Sequence, residues 1–231
     1  MQSIVIATTK SWNIENFHLL KNKYEKEYMF HIITSSDVLT FEYLHTLKPK
    51  YIFFPHWSWI IPESIYSNFT CIVFHMTDVP FGRGGSPLQN LLIRGIYKTK
   101  ISALSAQKEL DSGDVYLKED LGLSSGSAKE IYKKASDIIF HKMIPKILIT
   151  SPVKQPQSGE VTLFKRRTPN ESSLHTLGNP TLQNIYDFIR MLDAPGYPKA
   201  FLKIDSFKIE FFNADFNEDK ISGTFEVKRD N

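Results

Sequence analysis

The sequence predicts an α/β protein with an open, mostly parallel, Rossmann-like sheet, helices on both faces and a small C-terminal α+β appendage. Three observations carry this. Through residues 1–150, short β-branched or aromatic runs alternate with stretches whose apolar residues recur every three or four positions. Several runs are almost continuously apolar, as strands covered on both faces are. Near residue 151 a polar, proline-containing connector interrupts the pattern.

Residues 4–8 form the first run, and Ile14, Phe17, Leu20 and Tyr24 then share a helical face. Residues 28–33 give a second strand, and Phe41, Leu44 and Leu47 mark a second helix stopped by Pro49. Residues 51–54 are a third strand, 62–67 a short helix and 71–75 a fourth strand. That order argues for right-handed crossovers between parallel neighbours. Ser86-Pro87-Leu88-Gln89 reads as a helix start, with Ser86 as cap, Pro87 at the first helical position and Gln89 closing a capping box. A strand at 101–106, a glycine turn at Asp111-Ser112-Gly113-Asp114 and a strand at 115–117 follow. Ser127 and Glu130 form a second capping box, opening a helix that aligns Ala128, Ile131, Ala135, Ile138, Ile139 and Met143. Beyond the connector come a strand at 161–164, a helix over 181–192, alternating strands at 200–204 and 207–212, and a last strand at 221–227. The domain reading is residues 1–150 for a catalytic domain and 151–231 for a smaller α+β subdomain.

The 231 residues are 42% hydrophobic and 23% charged, ordinary globular usage that supports a sizeable core. A formal charge of +3 and one tight basic cluster, Lys165-Arg166-Arg167, argue against a nucleic-acid partner. The single cysteine, Cys71, lies inside an apolar strand and reads as a packing residue. No apolar run is long enough to span a bilayer, and none follows a basic start, so a soluble, cytoplasmic protein with no membrane partner is expected. Phe211, Phe212 and Phe216 are expected to be exposed and to serve a homodimer contact.

A doubly wound sheet binds ligands beyond the carboxyl ends of its strands. The loop after Phe54 carries His56, Trp57, Ser58 and Trp59. The loop after Phe74 carries His75 and then residues 76–85, with Gly82, Gly84 and Gly85. The loop after Ala106 leads to Asp111, and all three are expected to converge on one rim. No G-x-G-x-x-G follows the first strand, and Gly82-Arg83-Gly84-Gly85 lacks the Lys-Ser/Thr of a phosphate-binding P-loop. There is no G-x-S-x-G elbow. His45, His56 and His75 show no metal-ligand spacing with cysteines or carboxylates, so no metal is expected. Pattern alone reaches an α/β enzyme with a His and an Asp at strand ends.

The stretch from His75 through Pro80, Arg83, Gly84, Pro87 and Gln89, followed by Leu110-Asp111-Ser112-Gly113-Asp114, resembles the folate-dependent formyltransferases, the family of methionyl-tRNA formyltransferase and the sugar N-formyltransferases. That family shows a His at a strand end, a loop of the form L-P-x-x-R-G-x-x-P-I-Q, then L-D-x-G-D. The 36-residue separation of His75 and Asp111 matches its usual spacing. Ser58-Trp59-Ile60-Ile61-Pro62 is similar to its folate loop. One departure stands out: Val73 occupies the place of the family's Asn in N-x-H, a donor to the developing oxyanion. His56 and Gln89 are candidate replacements.

The resemblance implies direct transfer of a formyl group from 10-formyltetrahydrofolate to an amine. His75 would relay the amine proton and stabilise negative charge, with Asp111 orienting it. Trp59, Ile60, Ile61, Arg83 and Gly84 would receive the folate. Residues 159–169 and 189–201 are similar to segments of sugar N-formyltransferases, which implies a nucleotide-linked amino sugar as acceptor. Arg166, Arg167 and Tyr197 would then join His56 and Gln89 as acceptor contacts, guanidinium forks being suited to phosphate. The large C-terminal barrel of the tRNA-specific branch is not expected in these 231 residues. Two other readings stay open: another acyl donor or a carrier-bound aminoacyl acceptor on the same fold, and a binding module without turnover.

Overall fold

The computed structural model describes residues 1–230. In chain order its elements are β1 (Gln2–Ala7), α1 (Ser11–Tyr24), β2 (Tyr28–Ile33), α2 (Phe41–Leu47), β3 (Tyr51–Pro55), α3 (Glu63–Tyr66), β4 (Cys71–His75), β5 (Arg83–Gly84), α4 (Pro87–Leu92), β6 (Lys98–Ser105) and β7 (Val115–Gly122). There follow α5 (Ala128–Ile138), α6 (Ile144–Thr150), β8 (Leu163–Phe164), α7 (Leu182–Arg190), β9 (Ala200–Ile204), β10 (Phe207–Asn217) and β11 (Lys220–Arg229).

These elements form two compact units, each drawn from several chain segments. The first takes Met1–Gly84, Lys100–Leu121 and Lys133–Leu163; the second takes Gly85–Thr99, Gly122–Tyr132 and Phe164–Asn231. The division differs from a single cut at residue 150. Residues 151–163 stay with the first unit because their backbone bonds there: Val115 N donates to Gln155 O at 2.8 Å, and Arg83 N to Thr162 O at 3.0 Å.

The first unit holds a six-stranded sheet of order β2-β1-β3-β4-β6-β7. The first four strands are parallel. Ile4, Val5, Ile6, Ala7, Ile52 and Phe53 are wholly buried, which is why β1 and β3 read as unbroken apolar runs. Val5, Ala7, Ile33, Leu39, Leu44, Ile52, Phe54, Ile65 and Cys71 form one core cluster. The apolar side of α1 brings in Trp12, Phe17 and Leu20. Between them the Asn16 amide donates to Ser136 Oγ and Asp137 Oδ1, both at 2.9 Å. A π turn at Ile139–Met143 joins α5 to α6.

β6 breaks the parallel pattern. It runs antiparallel to β4, with Ser102 opposite His75 and Ser105 opposite Ile72. The connection between them, residues 76–97, contains β5 and the six-residue helix α4 and delivers β6 in the direction opposite to β4.

The second unit contains the antiparallel sheet β11-β10-β9 and helices α4 and α7. The Ser127–Glu130 capping box forms, with Ser127 N donating to Glu130 Oε2 at 2.7 Å and Glu130 N to Ser127 Oγ at 3.3 Å. The box expected at Ser86 does not. Ser86 is left-handed (φ 49°), and its hydroxyl accepts from Arg167 N at 3.0 Å instead of capping α4. Phe211, Phe212 and Phe216 are half-buried rather than exposed, because Lys199 Nζ sits 3.4 Å from the Phe212 ring and Tyr186 stacks on Phe216 at 5.4 Å. The exposed aromatics of this sheet are Phe207 and Phe225. Among the described residues no helix is long and apolar enough to cross a membrane.

A buried ion pair anchors α7. Arg190 Nε donates to Asp187 Oδ1 at 2.6 Å, and its other nitrogens reach Gly126 O and Leu123 O at 3.0 and 2.9 Å. Tyr97 and Gln183 donate to Asp187 Oδ2 at 2.6 and 2.9 Å. Asp187→Ala leaves the guanidinium buried without its counter-ion and is expected to lower unfolding free energy by about 3–5 kcal/mol. Urea denaturation checks this; a loss under about 1 kcal/mol would rule out the pair as an anchor.

Candidate active site

His75 is the last residue of β4, and its side chain is 8% exposed. Its Nδ1 lies 3.3 Å from Asp111 Oδ2, and its Nε2 lies 2.7 Å from Gly82 O. Both ring nitrogens therefore face oxygen acceptors. A neutral imidazole has one N–H and can donate to one of them, whereas the imidazolium donates to both. Nearby hydroxyls are already engaged: Thr77 Oγ1 donates to Gly82 O at 3.3 Å and Ser102 Oγ to Thr77 O at 2.7 Å.

Asp111 arrives by an unexpected route. Since β6 is antiparallel, it ends beside the start of β4, where Ala106 N donates to Cys71 O at 2.9 Å. The loop after Ala106 thus leaves from the end of β4 opposite His75, not from a shared carboxyl rim. Residues 107–111 bring the carboxylate back. Asp111 is left-handed (φ 54°) and its Oδ2 accepts from Gly84 N at 3.0 Å. Gly113 lets the turn lie flush on β6, for any Cβ there would overlap the Ser105 carbonyl oxygen.

Gln157, on the connector, is a member of this site that carried no motif. Its Nε2 donates to the carbonyls of Asp111 and Gly113, both at 2.8 Å, and its Oε1 accepts from Arg83 Nε at 3.0 Å. Arg83 and Gly84, predicted as cofactor contacts, therefore already brace the Asp111 turn.

In the loop after β3, Trp59 is 46% and Ile60 73% exposed, whereas Trp57 and Ile61 pack against the core cluster. Trp57 and Trp59 meet at 4.8 Å between ring centroids. Val73, in the place of the family Asn, also packs on that cluster. His56 is left-handed (φ 53°); burial, and then the Lys10 ammonium, push its pKa down to about 3. It is a neutral ring near neutral pH. Burial pushes the Cys71 thiol up to about 12, in keeping with a packing role.

Gln89, Arg166, Arg167 and Tyr197 belong to the second unit. Gln89 is 3% exposed, and its amide donates to Tyr132 Oη at 3.1 Å and Met191 O at 2.9 Å. Both N–H groups are spent on packing, so it offers no oxyanion donor. Arg166 is exposed, and Gly85 leaves room for its backbone. Arg167 is half-buried, lies 5.7 Å from the Phe188 ring centroid and donates to Glu171 O. Tyr197 stacks on Tyr132 at 5.4 Å. A cavity of about 290 Å³ in this unit is lined by Leu92, Ile93, Asp187 and Phe188, but the Asp187 carboxylate is saturated by the bonds described above. Among the described residues no three His, Cys, Asp or Glu side chains are grouped to hold a metal ion.

An imidazole–carboxylate pair at a strand end of a largely parallel α/β sheet has the chemistry of a proton-transfer site. A family model described as "Methionyl-tRNA formyltransferase, C-terminal domain" matches residues 169–228. A solved structure of methionyl-tRNA formyltransferase from Clostridium thermocellum is 52% identical, with a TM-score of 0.96 over 99% of this chain and 100% of that one. The chain belongs to the formyltransferase family. The methionyl-tRNA formyltransferase of Rickettsia massiliae (strain Mtu5) is 28% identical over 125 residues, 52% of this chain and 41% of that protein. The chain thus spans about two fifths of the length of that curated relative. A sugar N-formyltransferase from a Shewanella species shares the fold, with a TM-score of 0.72 at 13% identity over 92% of this chain and 97% of that one.

The depressed His56 pKa has a signed consequence. The folded chain keeps the ring neutral down to about 3, whereas the unfolded chain binds a proton near 6.5. Stability is full above about pH 6.5 and is lost as the pH falls from there toward 3. His56→Asn, which tolerates the left-handed backbone, is expected to flatten that acid-side loss. Urea unfolding at about pH 4 and about pH 7 measures it; the same pH slope in both proteins would refute the burial of this ring as its source.

Proposed function

We propose that the chain transfers a formyl group from 10-formyltetrahydrofolate to the amine of a nucleotide-linked amino sugar, with His75 and Asp111 at the reacting centre. The observation that carries this reading is the 3.3 Å approach of His75 Nδ1 to Asp111 Oδ2. The amine nitrogen attacks the formyl carbon, a C–N bond forms and the formyl oxygen gains negative charge. As that charge collapses, the bond to folate N10 breaks, and the proton lost by the amine ends on N10. His75 relays this proton and, when protonated, sets a cation beside the oxyanion. Asp111 holds the ring in place. The Gly82 carbonyl at 2.7 Å means that relay through Nε2 requires the glycine loop to yield that bond.

Trp59, Ile60 and Ile61 would receive the pterin alongside Arg83 and Gly84. With Val73 packed apolar and the Gln89 and Gln157 amides engaged, the cation carries the oxyanion without a side-chain amide. For the acceptor, Arg166, Arg167 and Tyr197 suit a nucleotide diphosphate. A small acceptor also fits the charge distribution. The net charge is +3, and on the C-terminal sheet Lys208 and Lys228 are each 2.8 Å from a Glu210 oxygen. A tRNA would call for a broad, uncompensated basic face.

The comparisons favour a second acceptor. The 52%-identical relative and the model over residues 169–228 both carry the name methionyl-tRNA formyltransferase. That reading keeps the same chemistry and would replace the expectation of no nucleic-acid partner.

The test is product mass. The chain is incubated with 10-formyltetrahydrofolate and either a panel of nucleotide-linked amino sugars or methionyl-tRNA. One added formyl unit on a sugar supports the first acceptor. Formylation of methionyl-tRNA alone overturns it, and folate binding without turnover on either leaves a binding module. His75→Asn is expected to lower kcat about 100- to 10,000-fold while folate binding persists.

A further inference from the structure

We infer that Gln157 is a positioning residue that locks the Asp111 turn and the glycine loop into one frame around His75. This rests on the formyl-transfer reading above and adds a residue outside the motifs that identify the family. The inference stands on complete use of one side-chain amide. Both N–H groups are donated within a single turn, to Asp111 O and Gly113 O at 2.8 Å each. The oxygen accepts from Arg83 Nε at 3.0 Å. One residue beyond Arg83, Gly84 N donates to the Asp111 carboxylate oxygen that faces His75. Gln157 thus closes a ring: turn carbonyls, amide, Arg83, Gly84 N–H and Asp111 carboxylate.

The clamp acts where the backbone needs help. Asp111 is left-handed at φ 54°, a conformation that L residues other than Asn and Asp seldom adopt. Both carbonyls taken by Gln157 belong to that turn, so the side chain selects the conformation that aims the carboxylate at Nδ1. The arm bearing Gln157 is itself fixed, since Gln155 and Val115 exchange backbone bonds at 2.8 and 2.9 Å. Lys154 Nζ also lies 3.8 Å from Asp114 Oδ2.

Only an amide fits all three partners. A glutamate of the same shape keeps Arg83 but sets a carboxylate against two carbonyl oxygens. Gln157→Glu therefore separates holding the loop from holding the turn, and Gln157→Ala removes both. Two readouts use the full chain without ligand: the nitrogen-15 signals of the His75 ring and the exchange rate of the Gly84 amide. A third is formyl transfer, resolved into kcat and KM. In Gln157→Glu the His75 signals are expected to move and Gly84 to exchange at least about tenfold faster, as expected when a local hydrogen bond opens. A carboxylate displaced by about 1 Å is expected to cost about 100-fold in kcat, with KM for the folate little changed. If Gln157→Glu does not fold, Gln157→Ala carries the same three measurements. Unchanged His75 signals and Gly84 exchange in a folded variant would overturn the clamp. If those signals move while the wild type formylates no acceptor, the clamp stands and the formyl-transfer reading falls.

Discussion

Asp111 holds its carboxylate on a left-handed backbone, which costs an L residue ~1–2 kcal/mol without local compensation. Compensation comes from three directions. Gly84 N and the His75 ring meet the carboxylate, the Gln157 amide takes the turn carbonyls, and Gly113 allows contact with Ser105 that no other residue permits. The site is thus a small set of mutually dependent bonds, and the 3.3 Å between His75 and Asp111 is its outcome. Take away the turn and, among the described residues, the imidazole keeps the Gly82 carbonyl as its remaining partner.

Much of this frame is written locally in the chain. β2 and β4 fall on the boundaries expected from their apolar runs, and β1 and β3 fall close to theirs. In the interior strands β1, β3 and β4 the run is nearly unbroken because a strand buried on both faces has to be apolar throughout, whereas the edge strand β2 is only partly buried. The Ser127–Glu130 box forms because its partners lie three residues apart. Non-local features were hidden. Nothing in residues 98–105 reveals that they pair antiparallel with β4, since strand direction is set by where the connection returns. The Ser86 signature is equally local, yet Arg167, 81 positions away, takes its hydroxyl.

Candidate site residues divide along the same line. His75 and Asp111 are legible because their motif fixes type and spacing, and the structure brings them together. Gln157 is illegible because a glutamine in a polar connector has no pattern around it; its importance arises from which carbonyls the fold brings near. Gln89 shows the converse error. A polar residue in a family motif suggests contact with a ligand, whereas here its amide is consumed by Tyr132 and Met191. Val73 is the other informative departure, an apolar residue turned toward the core where a donor is usual.

The π turn at Ile139–Met143 inserts one residue's worth of chain into what would otherwise run as a single helix from Ala128 to Thr150. Each residue of an α-helix advances the azimuth by about 100°. Upstream of the bulge, Ser136 meets Asn16; downstream, Ile144, Ile147 and Leu148 are buried. The two halves keep these phases because the wider turn absorbs the offset between them. Shortened by one residue there, the segment would rewind, and its downstream aliphatic stripe would swing about a quarter-turn toward solvent. An apparent defect in helical regularity is what lets one continuous segment serve two differently oriented neighbours.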